Sequence, residues 1–101
     1  MRVFVFFDLP TNTGIEKREY RHFRKHLIVS GFMMLQESVY VKLVPNDFMV
    51  KAVINNIKKH KPSSGLVQIL KVTEKQFAAI DNVVGITEND IINSDERLIV
   101  L

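Results

Sequence analysis

Val3-Phe4-Val5-Phe6-Phe7 is apolar at consecutive positions and runs directly into Asp8 and the turn sequence Leu9-Pro10-Thr11-Asn12. Valine and phenylalanine favour extended backbone. With no polar residue alternating between them, both faces of the strand need cover. A central strand is therefore predicted, in a chain of 101 residues that can build one small core.

The remaining elements follow from capping and periodicity. Thr13-Gly14-Ile15-Glu16 matches a capping box, and the helix it starts is expected to reach about Ser30, where Gly31 is placed to end it. Phe32 to Val44 reads as strand with polar and apolar residues alternating from Glu37 onward. It is too long for one short strand, so a hairpin split near Gln36 is expected, although no Asn-Gly or Asp-Gly marks the turn. Pro45-Asn46-Asp47 opens a second helix whose apolar set, Met49, Val50, Val53, Ile54 and Ile57, has three-to-four spacing; Lys58-Lys59-His60-Lys61 and Pro62 close it. A strand from Leu66 to Thr73, a second capping box at Thr73-Glu74-Lys75-Gln76 with a short helix to about Ile80, and a last short strand from Arg97 to Leu101 complete the chain.

The order βαββαβ is the ferredoxin-like α+β pattern, an antiparallel sheet with two helices on one face. Residues 1–80 form its core and residues 81–101 a C-terminal extension of the same domain. The helices leave the second sheet face open, yet the first strand is apolar on both sides. In so short a chain a second copy is the economical cover, which predicts a sheet-to-sheet homodimer.

Composition narrows the chemistry. Cysteine is absent, so disulfides and thiolate metal sites are excluded and any metal must be held by oxygen or imidazole. No apolar run approaches the roughly 20 residues of a membrane span, and no secretion signal is legible, so a cytoplasmic protein is expected. The net charge is +3, but it is polarised: residues 1–71 carry 12 Lys/Arg against 5 Asp/Glu, and residues 72–101 carry 2 against 6. A basic body points to a polyanionic partner, and an acidic end to a solvated tail or a docking surface.

On a helical wheel the first helix puts Tyr20, Phe23 and Leu27 on one arc and Lys17, Arg18, Arg21, Arg24 and Lys25 opposite, with Ile28 interrupting the basic arc near its end. Five cations at this spacing suit a phosphate backbone; a solvated helix face is the alternative. His22 and His26 are one turn apart but lack the acid of a zinc-binding helix motif; partial charging beside a polyanion is a better reading than metal ligation, and plain helix surface is better still. Phe7, Tyr20, Phe23 and Phe32 are assigned to the core, since no aromatic pair of the RNA-recognition type is present. Asp8, the first acid in the chain, either tightens the turn or, paired with its copy across a two-fold axis, forms a hard-oxygen site for Mg²⁺, from which phosphodiester hydrolysis is reachable.

Phe-Phe-Asp8-Leu-Pro-Thr, Tyr20-Arg21-His22-Phe23-Arg24-Lys25 and Gly31-Phe32-Met33-Met34-Leu35-Gln36-Glu37-Ser38-Val39-Tyr40, with Thr73-Glu74-Lys75-Gln76-Phe77 and Ser94-Asp95-Glu96-Arg97-Leu98, resemble nearly end to end the small adaptation protein of CRISPR systems, the subunit that partners the CRISPR integrase, in the version of Cas9-type loci. The resemblance implies a homodimer with facing sheets and Asp8 from each subunit near the axis, able to share a divalent ion. It also implies metal-dependent endonuclease activity on RNA or double-stranded DNA, and, within the integrase complex, a structural role as a spacer across which prespacer double-stranded DNA lies. Lys17, Arg18, Arg21, Arg24 and Lys25 are the expected phosphate contacts, and the acidic C-terminal third is expected to serve dimer exchange or integrase docking. A free metal-dependent endoribonuclease of toxin-like type is the alternative; a regulatory module binding a small ligand has no motif in its favour.

Overall fold

The computed structural model describes residues 1–85. Its elements are β1 (Arg2–Asp8), α1 (Gly14–Val29), β2 (Met33–Gln36), β3 (Val39–Leu43), α2 (Asp47–Lys59), β4 (Leu66–Val72) and α3 (Glu74–Ala78). The strand expected over Arg97 to Leu101 lies outside the described residues.

Each helix begins and ends for the reasons its sequence gives. Thr13 accepts from the amide of Glu16 while Glu16 accepts from the amide of Thr13, closing the capping box of α1. At the other end Gly31 adopts φ 95°, and the amides of Gly31 and Phe32 donate to the carbonyls of Ile28 and Leu27. This paired return satisfies two terminal carbonyls and drops Phe32 into the core. Asn46 caps α2 by accepting from the amide of Met49, and Thr73 with Gln76 forms the second reciprocal box at α3.

The strands form one antiparallel sheet in the order β2-β3-β1-β4, which is the ferredoxin-like arrangement. β1 is central as expected, with Val5 facing Tyr40 on one side and Ile69 on the other. Glu37-Ser38 makes the hairpin turn without a left-handed non-glycine residue. A register shift between Met34 and Gln36 stands in place of a primed turn, and the amide of Phe7 donates to the Ser38 carbonyl at 3.1 Å to tie the turn to β1.

Alternation along β1 sends Val3, Val5 and Phe7 toward the helices, where they pack with Tyr40 of β3, Phe23 and Leu27 of α1, and Val50 and Ile57 of α2. Phe7 is the hub, with Phe23 edge-on at 5.4 Å and Tyr20 at 5.9 Å between ring centroids. The aromatics assigned to the core are therefore in or against it. Phe4 and Phe6 stack at 5.8 Å on the opposite face. That face is not wholly bare: α3 lays Phe77 on Phe4 at 5.8 Å, and Arg2 stacks over Phe77 while donating to Glu74.

Candidate nucleic-acid interface

α1 turns Phe23 and Leu27 inward, which fixes the direction of everything else on it. Lys17, Arg18, Arg21, Arg24 and Lys25 are all exposed, and none forms an ion pair among the described residues. The helix carries two acids, and both are engaged in hydrogen bonds away from these cations. Glu16 accepts from the amides of Asn12 and Thr13. Glu19 accepts from the hydroxyl of Ser63, 2.8 Å from each carboxylate oxygen. Five cations stand without compensation on one face, an arrangement that attracts a polyanion at long range and grips it by contact.

Asp8 ends β1 at an exposed position opposite Leu66 of β4. By alternation its side chain follows Phe4 and Phe6 onto the face away from α1 and α2. The strand exit is held by a close backbone approach. Gly65 has φ 92°, and a methyl group added there would lie 2.7 Å from the Asp8 carbonyl oxygen and 2.8 Å from Leu9 Cδ2. Only glycine lets the loop before β4 cross the strand exit this closely. Among the described residues no group of three His, Cys, Asp or Glu side chains converges on a metal position. The chain thus offers Asp8 as a single hard-oxygen donor, chemically suited to Mg²⁺ but incomplete alone.

The basic helix and Asp8 are on different surfaces of the sheet, so the structure separates the two sets of residues that the sequence singled out. Two further features were not legible. For Gly65 the one sequence signal of a close approach is its place directly before the strand predicted from Leu66. His60 read only as a helix-end cation, yet its ring stacks on His26 of α1 with centroids 3.9 Å apart. Burial, and then the neighbouring His60, hold the His26 imidazole below its ordinary pKa.

The model of the family described as CRISPR associated protein Cas2 matches residues 1–80. The chain belongs to that family. The CRISPR-associated endoribonuclease Cas2 of Treponema denticola is 50% identical over 101 residues, covering the whole of both chains. The endoribonuclease Cas2 of Streptococcus mutans is 45% identical over all of this chain and 93% of its own, and that of Ligilactobacillus salivarius 43% over the whole of both. A crystal structure of Streptococcus pyogenes Cas2 at pH 6.5 superposes with a TM-score of 0.63 at 18% identity, covering 83% of this chain and 100% of that one. At that identity the likeness is one of fold, and it places the four-stranded sheet of this Cas2 chain among ferredoxin-like relatives. Among the described residues no helix is long and apolar enough to cross a membrane.

Proposed function

We infer that this Cas2-family chain acts in CRISPR spacer acquisition in the cytoplasm, as a homodimeric scaffold that binds prespacer double-stranded DNA and bridges subunits of the CRISPR integrase. The observation that carries the reading is the set of five uncompensated cations on α1, Lys17, Arg18, Arg21, Arg24 and Lys25. Contacts of this kind position a duplex without reading its sequence, as capture of arbitrary DNA requires. The dimer is supported by the face away from α1 and α2, where Leu43, Leu66 and Leu70 are each about half exposed beside Phe6. A monomer gains nothing from holding that apolar surface in water.

A second activity, metal-dependent endonuclease action on RNA or double-stranded DNA, is favoured by exposed Asp8 at the strand exit and by the endoribonuclease description of the relatives. Asp8 from each of two subunits would hold one Mg²⁺. When bound, the ion supplies charge for the phosphodiester oxygens and a more acidic water. The chain's own part is to fix Asp8 by the β1–β4 pairing and the Gly65 crossing.

One experiment separates the readings. Arg21→Glu with Arg24→Glu should weaken duplex binding and flatten its salt dependence by a log-log slope of about 0.9 for each phosphate no longer neutralised, and should abolish acquisition. Asp8→Ala should leave acquisition largely intact and abolish cleavage, as should a chelator. Acquisition lost through Asp8→Ala alone would overturn the scaffold reading. Cleavage surviving Asp8→Ala would remove Asp8 from the chemistry.

A further inference from the structure

All three histidines of the chain, His22, His26 and His60, line one groove of about 540 Å³ between the C-terminal half of α1 and the end of α2. Lys25 and Lys61 flank it, and Glu19 is the one carboxylate among its lining residues. That carboxylate is taken up by the Ser63 hydroxyl. The His26 and His60 rings lie nearly parallel, at 20°, with centroids 3.9 Å apart. His60 Nδ1 meets the Asn56 carbonyl oxygen at 2.9 Å, which makes Nδ1 the donor and leaves Nε2 to take a proton. His26 Nε2 faces the Ser30 hydroxyl at 3.5 Å, and Asn56 Nδ2 donates to that same hydroxyl. Lys42 of β3 comes up behind, donating to the Ser30 carbonyl at 2.6 Å.

The titratable and charged groups lining the groove beside the pair are thus His22 and Lys25 from α1 and Lys61 after α2, with Lys42 of β3 held at the Ser30 carbonyl and the lining carboxylate, Glu19, already engaged. Burial, and then the neighbouring His60, make charging the His26 ring costly in the free protein. An anion in the groove reverses that cost, because it faces Lys25, Lys61 and the pair together. On the wheel, His22 and His26 lie immediately beside Lys25 and Arg18, so the groove continues the cationic face of α1.

Resting on the reading of α1 as the nucleic-acid surface, we propose that this groove receives one backbone phosphate of the bound nucleic acid, and that the His26–His60 pair takes up a proton from solvent as it does so. The site adds a contact whose strength depends on pH to those of the α1 cations.

The test is the salt dependence of binding of a labelled DNA duplex to the full chain at about pH 6 and about pH 8, the range in which histidine titrates. Wild type should show a log-log slope steeper at the lower pH by about 0.9 for each groove occupied. The double variant His26→Gln with His60→Gln should show no steepening, with its fold checked by far-ultraviolet circular dichroism against wild type. His22→Gln should keep the steepening. Equal wild-type slopes at the two pH values, or steepening that persists in the double variant, overturn the proposal while leaving the α1 reading intact. Absence of duplex binding at both pH values overturns the α1 reading itself.

Discussion

Tyr40 is fully buried beside Phe7, and among the described residues its hydroxyl has no hydrogen-bond partner. A phenol oxygen in that position gives up water and receives nothing in return. Tyr40→Phe should therefore raise the unfolding free energy by about 1 kcal/mol in urea denaturation; a loss of stability would show that the hydroxyl is bonded. Gly65 is the opposite case, a residue valued for what it lacks. With φ 92° and a would-be methyl 2.7 Å from the Asp8 carbonyl oxygen, Gly65→Ala should cost about 1–3 kcal/mol. Because the obstacle is backbone, the variant should also move the amide resonances of Asp8 and Leu9, whereas Gly14→Ala, which meets nothing within 4 Å, should leave them in place.

At the scale of elements, the helices were legible because their boundaries are chemical. Both capping boxes and the Gly31 return are written in adjacent residues, and each forms as its sequence implies. The hairpin was legible in place but not in geometry, since a bulge takes the part that Asn-Gly would have played. Contacts between elements were not legible. His26 and His60 come from different helices, and nothing local to either residue places one ring on the other. That stack makes the α1–α2 packing sensitive to acid. The folded-state pKa of His26 is below the ordinary 6.5, so on acidification the unfolded chain takes up the proton first. The contribution of His26 is fully present above pH 6.5 and is lost as pH falls through the lower folded value. Thermal melts should accordingly show a smaller drop in Tm below that pH for His26→Gln than for wild type, and equal drops would remove His26 from the effect.

For the molecule as a whole, the apolar run of β1 demanded cover on two sides, and the chain provides it unequally. α1 and α2 bury Val3, Val5 and Phe7, while on the far side α3 reaches Phe4, which is 7% exposed, and leaves Leu70 half exposed beside it in the ladder. The sequence pointed to a second copy as cover but did not show that α3 would take part of the surface, because Phe77 looked like any residue of a short helix. Leu70→Glu tests the division. It should convert the species seen by sedimentation from dimer to monomer with little change in the far-ultraviolet circular dichroism, since half of Leu70 is already in water within one chain. A dimer that survives this change would place the subunit contact elsewhere.

The ladder between β1 and β4 runs from Arg2 opposite Val72 to Asp8 opposite Leu66. β1 is thus completed by the last described strand, with most of the described domain as the intervening loop. Contacts of such separation close late and slowly. β3 pairs one edge of β1, but until Leu66–Val72 emerges the other edge of Val3–Phe7 stays open in a strongly β-forming apolar segment of the kind that recruits other chains. Synthesis rate and chaperone supply, rather than the stability of the finished sheet, should then govern how much of this protein a cell recovers in usable form.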